Sequence, residues 1–380
     1  MQTTQLIWKN DSWENYDTNE NIDAQLVFFF GATKLIAQPK VYTRLKEKFP
    51  KAHILGCSTA GEIIEDEVLD GNVVATAIRF DKTTLDVAYE FIDNSEQSYS
   101  VGEKLGKTLN KQGLKSIFVL SDGLAVNGTD LIKGIGNQLP KDVIISGGLS
   151  GDGADFGRTL VACNDYALPG QIAAVGFYGN HIHIGQGSVG GWDSFGPDRL
   201  VTKSKSNILY ELDGKPALDL YKKYLGEKAE ELPSSALLFP LMIRPAHSEE
   251  EGIVRTILAV SEEDKSMTFA GDIPEGYMAK LMMSNFDRLI DGANEAASIT
   301  ESQNGDHENG ESLAILISCV GRKLVLGHRI EEEVETVQSV FNKNTKQIGF
   351  YSYGEISSNV KTGLCELHNQ TMTITLITEK

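Results

Sequence analysis

Gly56-Cys57-Ser58-Thr59-Ala60-Gly61-Glu62-Ile63 stands near the start of the chain, and Gly349-Phe350-Tyr351-Ser352-Tyr353-Gly354-Glu355-Ile356 stands near its end. Both spell G-x-x-x-x-G-E-I. Their contexts repeat as well. An apolar run at 26–31 and then a helix-like stretch lead to the first copy, and an apolar run at 313–319 and then a helix-like stretch lead to the second. A strand–helix–strand–turn order that recurs around one motif reads as a duplicated supersecondary unit. Each copy ends a buried strand near a glycine, Gly61 or Gly354, that permits a positive φ or a close backbone approach. A carboxylate follows at once. Strand ends of this kind expose backbone N–H groups, and α/β proteins place ligands there. Two readings of Glu62 and Glu355 stand side by side: both face one cleft between the halves, or each satisfies backbone N–H groups of a nearby turn.

Outward from these turns, short apolar runs read as strands at 25–30, 52–56, 72–80, 85–91, 116–121, 143–146, 159–163, 172–178 and 181–185. More follow at 236–243, 253–261, 267–272, 312–319, 347–351 and 371–377. Helix-like stretches lie at 33–48, 98–112, 129–138, 215–225, 275–298 and 330–342, with Val101, Leu105 and Leu109 on one stripe of the second. The fold class is α/β of the mixed α+β kind: two related lobes with mixed sheets flanked by helices. The hairpin 253–261/267–272 argues against a purely parallel sheet. The Gly/Pro/Ser-rich stretch 192–205 is the boundary candidate, giving domains at 22–205 and 206–375. The polar run 300–311 (TESQNGDHENGE) reads as an exposed, mobile loop, and 248–252 (SEEEG) as a shorter acidic one.

The chain has 380 residues and a net charge of -18, which argues against nucleic acid or an anionic membrane as partner. With 41% hydrophobic residues it needs no disulfide or metal to fold. Cys57, Cys163, Cys319 and Cys365 form no C-x-x-C pair, and the N-terminal stretch has no basic region followed by an apolar one. The expectation is a reduced, cytoplasmic protein.

Gly185-Gln186-Gly187-Ser188-Val189-Gly190 spells G-x-G-x-x-G, but Gly191, Gly196 and Pro197 follow, so no helix opens to hold a pyrophosphate. A bent, glycine-rich strand is the better reading. The glycine-rich turn at 147–153 lacks a phosphate-loop ending, and its Asp152 repels phosphate; it reads as a loop close to the ligand cleft. His181 and His183 share a strand face with no third metal ligand signalled. Cys57 is either a nucleophile or, because Phe350 holds the matching place in the second copy, a packing residue. Tyr351 and Tyr353 offer an apolar wall with hydroxyl handles, or are half-buried strand aromatics. Arg322 or Arg158 can clamp a ligand carboxylate, or pair with Glu62 or Glu355.

These segments resemble the FIST family, the sensory domain with N- and C-terminal parts found in bacterial signalling proteins. The residues that carry the resemblance are GCSTAGEI (56–63), SDGL (121–124), GGLSGDG (147–153), FAGDIPEG (269–276), SCVGR (318–322), GFYSYGEI (349–356) and LHNQTMTITL (367–376). They occur in the family's order and cover almost the whole chain. The resemblance implies a small-ligand-binding sensory module with amino acids or their derivatives as usual ligands, and no enzyme. Family-like sequence leaves no room for a kinase or cyclase domain, so a sensor would signal through a separate partner such as a kinase. Some members bind haem and report nitric oxide; here His368 or His247 would be the axial ligand. His368 can instead anchor the ligand or orient the Gly-Glu-Ile turn.

The expected ligand-binding set is therefore Cys57, Ser58, Thr59, Gly61, Glu62, Gly148, Ser150, Arg158, Arg322, Tyr351, Tyr353, Gly354, Glu355 and His368. No metal and no cofactor other than the alternative haem are expected. A Cys57- or Ser58-dependent hydrolase or transferase is the rival reading.

Overall fold

Strands that are apolar at every position must be covered on both faces. Leu26–Gly31 (LVFFFG) and Ser312–Cys319 (SLAILISC) are buried throughout, and so, but for Lys115, is Leu114–Ser121. In the computed structural model, which describes residues 1–17, 22–232, 234–247, 252–303, 310–358 and 365–380, these three strands hold equivalent places in three sheets. Each is a first inner strand. Each is followed by helix and then by a parallel second inner strand: His53–Ser58, Ile144–Leu149 and Thr345–Ser352. An antiparallel return strand closes the other side, Val73–Arg79, Gln171–Tyr178 or Met372–Glu379. An outer strand pairs with each return strand: Gln2–Lys9, Thr84–Phe91 and Ile182–Val189. The mixed sheets flanked by helices are as expected, and the duplicated unit is present a third time.

The units are interlocked. After its turn, each second inner strand sends a short crossing strand into a neighbouring sheet. Glu62–Ile64 pairs with Thr345–Ser352, Gly354–Ser358 pairs with Ile144–Leu149, and Val161–Cys163 pairs with His53–Ser58. The cycle closes, so the three sheets surround one axis. The core on that axis takes Phe28 and Phe30 from the first unit, Phe118 and Leu120 from the second, and Ile315 and Ile317 from the third. Phe28 meets Phe118 at 5.0 Å between ring centroids, and Phe30 meets Phe350 at 4.7 Å. The outer faces carry the helices, as where Val41 and Leu45 of Pro39–Lys48 pack on Val27 and Phe29.

The first glycine of the motif has a physical cause. Gly56, Gly147 and Gly349 stand opposite Phe29, Val119 and Leu316 in the parallel pairs. A Cβ on them would lie 2.3, 1.9 and 2.0 Å from the carbonyl oxygens of those partners, so no side chain fits.

Residues 193–283 interrupt the third unit between its outer strand and the helix Phe286–Ser302. They form a sheet of their own, with the helix Ala217–Leu225 against it and a separate core of Val201, Leu209, Leu218, Tyr221, Leu241 and Phe269. The boundary candidate 192–205 falls on an element of this layer. Asp193–Lys205 is one strand that pairs with both Tyr277–Met283 and Ile208–Leu212, and its Gly196 and Pro197 occupy a register shift between Phe195 and Arg199. The helix expected over 275–298 is the strand Tyr277–Met283 followed by Phe286–Ser302, whose N-cap Asn285 accepts from the N–H groups of Asp287 and Arg288. The strand expected over 236–243 is a 3-10 turn, Ser234–Leu238, and then Leu241–Pro245. Of the expected loop 300–311, residues 304–309 lie outside the described residues. Thr300 is buried near the end of the helix and donates to Ala296 O at 2.7 Å. Residues 248–251 of the acidic loop also lie outside them. In the glycine-rich strand Ile182–Val189, a Cβ on Gly187 would stand 2.1 Å from Ala296 O, so the glycine lets that helix lie close.

Candidate functional site

The second inner strands all end at one place. There Gly151 N donates to Ser58 O (2.9 Å), Ala60 N to Tyr351 O (2.8 Å), Tyr351 N to Gly61 O (2.9 Å) and Tyr353 N to Leu149 O (3.2 Å). The three turns 59–61, 150–152 and 352–354 thus satisfy one another's backbone groups, as buried backbone requires.

Behind the turns sit three carboxylates with one task. Glu62 is buried, accepts from Thr59 Oγ1 (2.5 Å) and accepts from Asn72 N (3.1 Å). Glu355 is buried, accepts from Ser352 Oγ (2.7 Å), and accepts from Thr371 N (3.2 Å) and Thr371 Oγ1 (3.0 Å). In the second unit Asp122 accepts from Thr159 Oγ1 (2.9 Å), Gly170 N (3.0 Å), Leu124 N (2.8 Å) and Ala125 N (2.7 Å). Asn72, Gly170 and Thr371 each immediately precede a return strand, so each carboxylate fixes where that strand begins. Burial pushes Glu62 up to about 7 and Glu355 up to about 8, against the pull of these hydrogen bonds.

Several expected ligand residues are committed inside the protein. Arg322 is fully buried and pairs with Glu333 through Nε (2.7 Å) and Nη2 (2.6 Å). Its Nη1 and Nη2 also donate to Gly190 O and Leu289 O. Glu333 also accepts from Tyr351 Oη (2.9 Å) and Ser318 Oγ (3.1 Å). Arg322 therefore pairs with neither Gly-Glu-Ile carboxylate, and Tyr351 offers no free hydroxyl. Cys57 packs in the axial core with Phe350, and burial raises its thiol well above the ordinary range. A thiol so raised is a poor nucleophile. Ser58 Oγ accepts from Leu160 N (2.9 Å), and Ser150 Oγ donates to Ser121 O (3.0 Å). Gly148 faces the Ile317 side chain, 2.8 Å from where its Cβ would be.

His368 stands opposite Glu355 in the pairing of Gly354–Ser358 with Cys365–His368. Burial and then the Arg255 charge lower its imidazole to about 4. Its Nε2 has no hydrogen-bond partner among the described residues. A haem needs apolar walls on both faces of its ring. The His368 ring instead bonds the Ser357 backbone and faces a guanidinium, while His247 is exposed. The residues around His368 do not fit the group.

What lies beside the meeting of the turns was only partly visible in the sequence. Lys323 Nζ donates to Ala60 O (2.8 Å), contacts the Asp70 carboxylate, and stands 5.5 Å from the centre of the Tyr351 ring. Tyr353 donates its hydroxyl to Asp152 Oδ1 and stacks on Phe156 at 4.6 Å and 16°. Asp152 Oδ2 accepts from Gly157 N (2.8 Å) and Arg158 N (2.6 Å), and the Arg158 side chain is exposed. An acid, a lysine and a stacked ring pair so lie where backbone from all three units converges.

The FIST N domain matches residues 25–215, and the FIST C domain matches residues 217–358. The chain belongs to the FIST family. FIST domains are sensory and signal-transduction domains. The join between the FIST N and FIST C matches falls inside the inserted layer, at the strand Lys215–Pro216. An uncharacterized protein of Methanocaldococcus jannaschii is 22% identical over 91% of this FIST chain and 72% of its own length. A solved cyanuric acid hydrolase from A. caulinodans aligns with 78% of this chain and 99% of its own at 9% identity, with a TM-score of 0.19, too slight a likeness to bear on fold or function. Among the described residues of this FIST protein, no helix is long and apolar enough to cross a membrane.

Lys323, Asp152, Phe156 and Asp122 also stand at these turns and were not among the expected residues. One signal was available for the turn that holds Asp152: Gly147-Gly148-Leu149-Ser150 keeps the G-x-x-[ST] spacing of Gly56-Cys57-Ser58-Thr59 and Gly349-Phe350-Tyr351-Ser352.

Proposed function

We propose that this chain is a sensory module that binds a small polar ligand, an amino acid or a close derivative, where the three turns meet, and that it reports occupancy to a separate signalling protein such as a kinase. One observation carries the reading: Lys323 and Asp152, a cation and a carboxylate, lie at the interlocked strand ends beside the Tyr353 ring. An amino acid needs a cation for its carboxylate and a carboxylate for its ammonium, and this group supplies both. The ion pair of Lys323 with Asp70 is an exchangeable one, because Asp70 is exposed and such pairs add little stability. Glu62 and Glu355 act from behind by holding the turns in register.

The interlocking supplies a route for the signal. A ligand that shifts one turn shifts its crossing strand, which belongs to another unit's sheet. It favours whichever arrangement it binds more tightly. A thermal-shift screen of the proteinogenic amino acids and their simple derivatives tests the reading. A ligand at about a hundred times its Kd adds about 2.7 kcal/mol, a clear rise in melting temperature. Lys323→Met should abolish the rise. A flat response to every compound refutes the proposal.

A further inference from the structure

Phe156 has a left-handed backbone, with φ of 49°. Bulky residues avoid that region, and where they are held in it the surrounding contacts enforce it. The contacts here are specific. The Phe156 ring lies nearly parallel to Tyr353, at 4.6 Å and 16°. The segment that carries it is tied down by one side chain: Asp152 accepts Tyr353 Oη through Oδ1 and the N–H groups of Gly157 and Arg158 through Oδ2. Gly153 and Gly157 flank the phenylalanine, and a Cβ on Gly153 would meet nothing within 4 Å, so the segment has open space on that side. The Arg158 side chain at its end is exposed, with no ion pair among the described residues.

We infer that Phe156 is an internal plug, and that the ligands of this site are aromatic amino acids whose ring replaces it on Tyr353. The inference rests on the amino-acid reading above and narrows it. The ring stacks on Tyr353, the ammonium meets the Asp152 carboxylate, and the ligand carboxylate meets Lys323, the cation on which the amino-acid reading rests. Displacing Phe156 releases its left-handed backbone, so the swap of one ring for another relieves a strained conformation. Leucine or aspartate, having no flat ring, does not compete for the Tyr353 face.

Isothermal titration of the whole chain with L-phenylalanine, L-tryptophan, L-leucine and L-aspartate tests this. Phe156→Gly removes the plug and suits the left-handed backbone. It should tighten L-phenylalanine binding roughly threefold to tenfold, the worth of one aromatic stack, and leave L-leucine unchanged. Tyr353→Leu should abolish aromatic binding. Tyr353→Phe, which keeps the ring in place, should retain it and so guard against a folding defect in the leucine variant. If L-leucine binds either protein as tightly as L-phenylalanine, or Phe156→Gly leaves L-phenylalanine affinity unchanged, the plug is refuted while amino-acid sensing stands. If no amino acid binds wild type or variant, both readings fall.

Discussion

Glu333→Ala is the perturbation that separates a structural Arg322 from a ligand-binding one. Arg322 and Glu333 are both fully buried and joined by two contacts of 2.6 and 2.7 Å. Removing one partner of such a pair leaves an uncompensated charge and costs about 3–5 kcal/mol. Tyr351 Oη and Ser318 Oγ lose their acceptor as well, and each buried orphan adds about 1–3 kcal/mol unless it finds water. The total approaches the whole stability of an ordinary domain, about 5–15 kcal/mol. Urea unfolding followed by far-UV circular dichroism should show the midpoint collapse, with Glu333→Gln hurt less because it keeps an acceptor for Tyr351. The double variant Arg322→Met with Glu333→Leu should recover part of the loss, since apolar replacement of a buried pair is often neutral. A cost for Glu333→Ala below about 1 kcal/mol, the scale of an exposed pair, would refute the reasoning. It would mean that the guanidinium reaches water and is free to hold a ligand.

The buried carboxylates set a pH dependence. Folding raises Glu62 and Glu355 above their ordinary value of 4.5, so their contribution is fully present below pH 4.5 and is lost as the pH rises through about 7 and about 8. Melting temperature should therefore fall between about pH 4.5 and pH 8 and level off above, and the fall should flatten in Glu62→Gln with Glu355→Gln; an unchanged slope counts against the assignment. Glu379 behaves oppositely. Burial disfavours its charge, but hydrogen bonds from Thr83 and from the N–H groups of Asp81, Lys82 and Thr83 outweigh that and hold it at about 2. Its contribution is present above pH 4.5 and disappears as the pH falls through 2, so Glu379→Gln should blunt acid unfolding monitored by circular dichroism. Burial raises the thiols of Cys57, Cys163 and Cys319, and Ellman's reagent at pH 8 should label them only as fast as the protein opens. Rapid labelling of Cys57 in native protein would revive the nucleophile reading.

The inner strands were legible because burial on both faces leaves nearly unbroken apolar runs, as in Phe28-Phe29-Phe30 and Ile315-Leu316-Ile317. The repeat was legible in two copies because both kept Gly-Glu-Ile. Its third copy escaped because Asp122, at the end of the first inner strand, does the work that Glu62 and Glu355 do from the turn. Tyr277–Met283 (YMAKLMM) is rich in helix formers, and only pairing on both sides with Leu241–Pro245 and Asp193–Lys205 makes it a strand. Asp193–Lys205 was disguised by the Gly196-Pro197 irregularity that its sheet absorbs. In the site, the glutamates were found but not their role, since their partners Asn72 and Thr371 lie outside the motif. Arg322 was chosen over its neighbour, and nothing local says that Lys323 rather than Arg322 turns toward Ala60, 263 residues away along the chain.

The position of the motif's first glycine joins fold to function. A Cβ at Gly349 would sit 2.0 Å from Leu316 O and 2.9 Å from the Leu316 Cβ, within the parallel pair that leads into the turn. Gly349→Ala must therefore push Thr345–Ser352 away from Ser312–Cys319. That strand also holds Glu62–Ile64 of the first unit and delivers Tyr351 to Glu333. A single methyl group is thus felt in two units, and its cost should exceed the roughly 1–3 kcal/mol of ordinary overpacking. Gly71→Ala is the control, because a Cβ there meets nothing within 4 Å and the strain of its φ of 72° is a local matter. Hydrogen exchange should show Gly349→Ala loosening amides in both Glu62–Ile64 and Gly354–Ser358, which lie in different sheets. Loosening confined to Gly354–Ser358 would mean that the units are mechanically separate. A ligand at one turn could then not be felt by the others.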